Sequence, residues 1–324
     1  MATMTIAKAI NAGLRAALES DPKVLLMGED IGDLGGVYRV TEGLKKDFGP
    51  QRVVDSPLAE SGIIGTAIGL ALRGYRPVCE IQFDGFVFPG FNQITTQLAK
   101  LRTRSDGMLS APVVIRIPYG GGIGSIEHHS ESPEALFAHT AGLRIISPSN
   151  PQDAYWMIQQ AVTCEDPVIV FEPKRRYWLK GDVDTSAPSS GPFSAHTVRA
   201  GTDATVVAYG PLVPVALAAA NAAAEDGRSI EVIDLRSISP IDFDTVTESV
   251  KRTGRLIVAH EAPTFGGIGG EIAARITERA FHSLEAPVIR VGGFHMPYPV
   301  ARVEEHYLPD IDRILEALDR AFAY

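Results

Sequence analysis

Short apolar runs alternate with segments of helical periodicity along almost the whole chain. Runs rich in Val, Ile and Leu, bounded by turn residues, predict strands over 24–27, 77–81, 112–117, 144–147 and 167–171. Between them, apolar residues at helical spacing predict helices over 41–48, 62–73, 88–103, 133–139 and 151–162, and residues 1–18 read as one amphipathic helix. Ser132-Pro133 and Asn150-Pro151 each set a capping residue before proline at a first helical position. Strands separated by helices imply a mostly parallel sheet covered on both faces.

From 180 to 202 the alternation stops in a stretch rich in Ser, Pro, Gly and Asp. This composition reads as a linker. The alternation then resumes with strands over 205–208, 230–235, 256–260 and 287–291 and helices over 213–224, 243–252 and 270–281. The expectation is an α/β fold of two α/β domains, residues 1–180 and 203–324, joined by a linker over 181–202. No fixed-period internal repeat is visible.

Length and composition agree with this. The chain has 324 residues, 45% hydrophobic and 21% charged, enough for two domains with sizeable cores. A net charge of −9 with no Lys/Arg run argues against nucleic-acid binding, which needs a basic surface. No apolar run is long enough to span a membrane, and residues 1–18 lack the layout of a signal peptide. Cys79 and Cys164 lie in apolar surroundings and read as reduced core residues of a cytoplasmic protein.

Candidate chemistry concentrates in a few segments. Asp55-Ser56-Pro57-Leu58-Ala59-Glu60-Ser61-Gly62 places one carboxylate, Glu60, where a strand-like run gives way to a helix of small residues, Gly62, Gly65, Ala67, Gly69 and Ala71. Glycine inside a helix costs roughly 1 kcal/mol relative to alanine, so its repetition suits close approach by another backbone. A carboxylate entering such an interface would be poorly solvated, would hold its proton and would share it with a ring nitrogen. The alternative is that Glu60 only complements the helix N-terminus.

His128-His129 follows a glycine-rich loop, Gly120-Gly121-Gly122-Ile123-Gly124, after a predicted strand. Imidazoles there suit acid/base work, or form a plain pair of surface histidines. Phe83, Phe86, Phe88 and Phe91 crowd a strand-to-helix junction; most read as core, and one is placed to offer its face to a flat heterocycle. Gly266-Gly267-Ile268-Gly269-Gly270 reads as a tight turn allowing close packing, or as an anion site at a helix start. Zinc-protease, dinucleotide, phosphate-loop and nucleophile-elbow patterns are all absent.

Several segments together resemble the β subunit of the thiamine-diphosphate-dependent 2-oxoacid dehydrogenases, from Met4 to Tyr324. They are Leu25-Leu26-Met27-Gly28-Glu29-Asp30, the Glu60 segment, Arg76-Pro77-Val78-Cys79-Glu80-Ile81-Gln82-Phe83, His129-Ser130-Glu131-Ser132-Pro133-Glu134-Ala135, Phe171-Glu172-Pro173-Lys174, Val232-Ile233-Asp234-Leu235-Arg236 and His260-Glu261-Ala262-Pro263. The resemblance implies a pyrimidine-binding domain followed by a transketolase C-terminal-like domain. It implies that Glu60 bonds the aminopyrimidine of thiamine diphosphate, that Leu58 and Gln82 neighbour that ring, and that Phe86 stacks on it. His129 becomes the site histidine and His128 its neighbour. A potassium site of some relatives would fall at Ala161, Cys164 and Asp166.

The Gly-Asp-Gly motif that usually holds diphosphate and magnesium is missing; Gly32-Asp33-Leu34 and Ser105-Asp106-Gly107 do not match it. The resemblance therefore implies half an active site. An α subunit would supply the rest in an assembly of two α and two β chains, and a lipoyl-bearing acyltransferase would take the acyl product. The segments 132–139 and 171–174 look more like relatives acting on branched-chain 2-oxoacids of the 2-oxoisovalerate type. Pyruvate or acetoin dehydrogenase is the alternative. From outside the class stand a non-catalytic assembly subunit and the C-terminal half of a one-chain transketolase-like enzyme.

Overall fold

In the computed structural model, which describes residues 1–188 and 190–324, seven strands build the larger sheet. Their order is Ser237–Ser239, Arg144–Ile146, Val168–Pro173, Val114–Tyr119, Arg76–Glu80, Val24–Gly28, Val53–Asp55. All neighbours are parallel except Ser237–Ser239, which runs antiparallel to Arg144–Ile146. Period-two geometry operates inside the apolar runs. Val24, Leu26, Val114 and Val168 face one core with the helices Ile6–Ser20 and Pro151–Thr163. Leu25, Met27, Ile115 and Ile169 face the other, with Ile63, Ile64 and Ala67 of the helix Glu60–Leu72. Both faces are covered, so the strands read as continuous apolar runs.

The second sheet has the order Ile289–Gly293, Leu256–Pro263, Ala204–Ala208, Ile230–Asp234, His196–Arg199, parallel except for the last pair. Helices Val213–Glu225 and Ile311–Phe322 cover one face. On the other face Val207 and Ile233 join Val246 and Ile272, and this cluster is continuous with Ile115 and Phe171 of the first half. The two halves therefore share a core.

Several local expectations are corrected. Residues 1–18 are not one helix: Ala2–Thr5 is a strand paired antiparallel with Lys180–Val183, and Thr5 caps the helix Ile6–Ser20. The stretch 180–202 holds Lys180–Val183 and His196–Arg199; Ser189 lies outside the described residues. The single helix expected over 88–103 is broken into the 3₁₀ turn Asp84–Gly90, the π-type turn Gln93–Gln97, the 3₁₀ turn Leu98–Lys100 and one α turn, Leu101–Arg104. Pro89 removes a backbone donor at its start. Asn150 caps Pro151–Thr163 as expected, its side chain accepting from the Asp153 amide at 2.9 Å. Ser132 does not cap the helix Glu134–Ala138, which starts a residue late. Among the described residues no helix is long and apolar enough to cross a membrane.

Candidate active site

The strands Val53–Asp55, Arg76–Glu80 and Val114–Tyr119 are linked through parallel pairings, so their carboxyl ends lie along one edge. Open α/β sheets form clefts there. Glu60, the turn 82–90 and the histidine loop 120–131 each follow one of these ends, and that topology brings distant residues together.

Glu60 is the first residue of Glu60–Leu72, two places earlier than the pattern predicts, and is half-buried. Its backbone packs on Gly90, where an added Cβ would lie 3.3 Å from the Glu60 carbonyl oxygen. Glu29 faces it from the end of Val24–Gly28. Burial first, then the negative charges of Asp30 and Glu60, raise the Glu29 carboxyl above its ordinary range. Gln82 Nε2 donates to the Glu29 carbonyl at 3.5 Å. Leu58, two residues before Glu60, is 72% exposed.

The aromatic rim stands beside this group. The Phe83 and Phe86 rings meet at 5.6 Å, and His129 lies edge-on to both, at 4.2 and 5.1 Å. Phe83, Phe86 and Phe91 are half-buried and Phe88 is exposed, so the four form a rim and not a sealed core. His128 tilts over Phe86 at 5.9 Å. His129 Nδ1 is buried without a hydrogen-bond partner. Burial, then the charges of His128 and Lys174, lowers its pKa, so the ring is neutral at neutral pH.

Below the rim lie buried charges that the sequence reading passed over. Lys174 and Asp84 form a fully buried ion pair, and the other Asp84 oxygen accepts the Glu131 amide at 2.9 Å. Burial pushes the Asp84 carboxyl up to about 6 and the Lys174 ammonium down. Arg116 grips Glu172 through two nitrogens at 2.6 and 2.9 Å and Glu80 at 2.6 Å. Glu80, Arg116 and Glu172 lie within apolar strand runs, where only a lone polar letter marks them, and Asp84 and Lys174 open the turns that follow two such strands.

The glycine loop is held by the second half of the chain. The Gly122 and Gly124 amides donate to the two carboxylate oxygens of Glu304 at 2.8 and 3.0 Å, and the Gly121 amide donates to Glu261. Gly267 and Gly269 pack on the buried His260 ring, where a Cβ would fall 2.8 Å and 2.7 Å from ring atoms; the close-packing reading of that turn is the one realised.

At the potassium candidates Ala161, Cys164 and Asp166, the side-chain carboxylate and two of the backbone carbonyls already have protein partners. Asp166 is committed to Arg102 at 2.7 Å and Arg144 at 2.9 Å, the Ala161 carbonyl accepts the Cys164 amide, and the Cys164 carbonyl accepts Arg76. Among the described residues no cluster of three His, Cys, Asp or Glu side chains is placed to hold a metal.

Residues 2–178 match the transketolase pyrimidine-binding domain and residues 194–314 the transketolase C-terminal domain. The chain is 64% identical over 322 residues to the pyruvate dehydrogenase E1 component subunit beta of Leifsonia xyli, covering 99% of this chain and 96% of that protein. It is 53% identical over 319 residues to the 3-methyl-2-oxobutanoate dehydrogenase subunit beta of Mycobacterium tuberculosis, covering 98% and 92%. In fold it matches a solved split-gene transketolase, described as an inactive β4 tetramer, with a TM-score of 0.81 over 99% of this chain and 98% of that one, at 22% identity.

Proposed function

Because the chain belongs to the β subunits of the thiamine-diphosphate-dependent 2-oxoacid dehydrogenases, we propose that it supplies the pyrimidine half of a decarboxylating active site. One observation carries this reading: at the carboxyl edge of a parallel sheet, Phe86 packs on His129 while Gln82 reaches the backbone of Glu29, whose carboxyl senses Glu60. Thiamine diphosphate, when bound, stabilises the carbanion left by decarboxylation. Glu60 would set its carboxyl against the pyrimidine ring nitrogen and share a proton with it. Leu58 and Gln82 would flank that ring, and Phe86 would offer it a face. Neutral His129, with Nδ1 free, would take up and return a proton as the acyl unit passes to a lipoyl group.

The residues fit the pyrimidine and not the diphosphate. The amides of the glycine loop, the anion cradle nearest His129, are taken by Glu261 and Glu304. Diphosphate and its magnesium therefore fall to the α chain that a β-subunit family implies, in an assembly of two α and two β chains serving a lipoyl-bearing acyltransferase. With the Asp166 carboxylate committed to Arg102 and Arg144, a potassium ion at Ala161, Cys164 and Asp166 would rest on backbone carbonyls, and no step runs through it. Free thiols at Cys79 and Cys164 support a reducing, cytoplasmic setting.

The substrate we propose is a branched-chain 2-oxoacid of the 2-oxoisovalerate type, on the likeness of residues 132–139 and 171–174. Pyruvate is the second reading, favoured by the 64% identity to a pyruvate dehydrogenase subunit. Decarboxylation of 2-oxoisovalerate and of pyruvate by the reconstituted α/β pair decides between them. Substantial turnover by the purified β chain alone would overturn the half-site reading. Full activity of the α chain without β would instead leave this chain an assembly subunit.

A further inference from the structure

We infer that Glu304 is a positioning residue for His129, its carboxylate gripping from the second half the loop that presents the histidine. The inference rests on the reading of His129 above for its kinetic test and on geometry alone for its structural one.

The loop is built to receive an anion. Gly120, Gly122 and Gly124 have φ of +82°, +81° and +70°, left-handed values in a loop whose Gly122 and Gly124 amides turn toward one carboxylate. The anion is internal. Glu304, 6% exposed, accepts Gly122 and Gly124 on its two oxygens, and Tyr298 Oη donates to it at 2.6 Å. Hydrogen bonds to an ionised carboxylate are the stronger kind. Tyr298 and Tyr307, with rings 5.0 Å apart, pack with Leu308 into a small cluster that seats Glu304.

The grip reaches His129 because the loop is closed. The Gly120 amide donates to the Glu131 carbonyl at 2.9 Å, and the Glu131 amide is tied to Asp84. Both feet are fixed and Glu304 holds one arm. The other arm carries the histidines on local backbone bonds, His129 N to Ile126 O at 3.0 Å and Ser130 N to Glu127 O at 2.9 Å, and on the packing of the His128 backbone against Gly85. Without Glu304 the Gly122 and Gly124 amides lose their carboxylate, the loop is left with the Gly121–Glu261 bond and the packing of His128 on Gly85, and His129 is held less firmly against the Phe83–Phe86 rim.

The test uses the assembled α/β pair carrying Glu304→Ala, Glu304→Gln, Tyr298→Phe, His129→Ala, or Glu304→Ala with His129→Ala. Hydrogen exchange of the 121–125 amides should accelerate at least about tenfold in Glu304→Ala. Acyl transfer to lipoamide should slow by about 10–100-fold, since a shift of about 1 Å in a reacting group costs that much, while thiazolium proton exchange stays within about twofold. Glu304→Gln keeps one acceptor oxygen and should recover part of the loss. Tyr298→Phe, which keeps the ring, should give a smaller loss of the same kind and serves if Glu304→Ala does not fold. In the His129→Ala background, removing Glu304 should cost nothing more. Unchanged amide exchange overturns the grip. An additive loss in the double variant overturns the link to His129. Intact acyl transfer in His129→Ala sinks the reading of His129 itself, a result distinct from either.

Discussion

Two stretches of this chain are rich in glycine, for opposite reasons. In the loop, added Cβ atoms at Gly120, Gly121 and Gly122 would meet Glu261 at 2.7 Å, Tyr298 Oη at 1.8 Å and Arg175 at 2.7 Å. In the helix Glu60–Leu72, added Cβ atoms at Gly65 and Gly69 would meet nothing within 4 Å. Gly62, Gly65 and Gly69 lie on one exposed face with Thr66 and Leu72. The loop's glycines are explained inside the chain, by their neighbours and their φ. The helix glycines are not: nothing in this chain needs them, and each weakens the helix. A filled glycine stretch serves the fold. An open one leaves room outside the chain for a second backbone.

The contrast predicts that changes at the open helix harm function and spare the fold, whereas changes at the closed loop harm the fold first. The largest effect belongs to Glu60, where the open helix begins. Glu60→Gln keeps size and a hydrogen bond but cannot relay a proton. Decarboxylation by the pair should fall at least about a hundredfold, within the ~3–5 kcal/mol that general acid/base work supplies, with the melting temperature unchanged. Near-normal thiazolium proton exchange in that variant would return Glu60 to a plain helix-terminal charge. Gly121→Ala comes next: overpacking against Tyr298 should cost the purified β chain about 2–3 kcal/mol in a urea titration. A neutral result would mean that the loop is not held as closely as the distances say.

Gly69→Leu should weaken assembly by about 10–100-fold, measured by sedentation-velocity dilution series or scattering, while the β chain alone melts no lower. Normal assembly would remove this face from any interface. The smallest effect is Gly65→Ala, which should stabilise the separate β chain by about 0.5–1 kcal/mol through helix propensity. Destabilisation there would show that the face is covered within the chain after all.

The sheet strands were legible because burial on both faces leaves runs such as Val24–Gly28 and Val168–Pro173 almost wholly apolar. What escaped was short, distant or mixed. Ala2–Thr5 pairs with a strand nearly 180 residues away, and no local pattern records a partner. Ser237–Ser239 is three residues long. Ile311–Phe322, by contrast, has a clear apolar stripe and Asp310 as its cap, so its pattern is legible in the sequence. Glu60 and His129 stood out as chemical letters at element boundaries. The residues that hold the histidine loop did not: Glu304 sits in a four-residue helix about 180 positions from its glycines, and only the folded contact gives it meaning.

The three-residue strand Ser237–Ser239 has a consequence for how the chain is made. It closes the edge at Arg144–Ile146, which emerges from the ribosome about 90 residues earlier. At about 5–20 residues per second, translation leaves that edge bare for roughly 5–18 seconds. Unpaired strand edges are templates for pairing with other chains. The first half is therefore exposed to aggregation during synthesis, and a fragment cut before residue 237 keeps that exposure permanently.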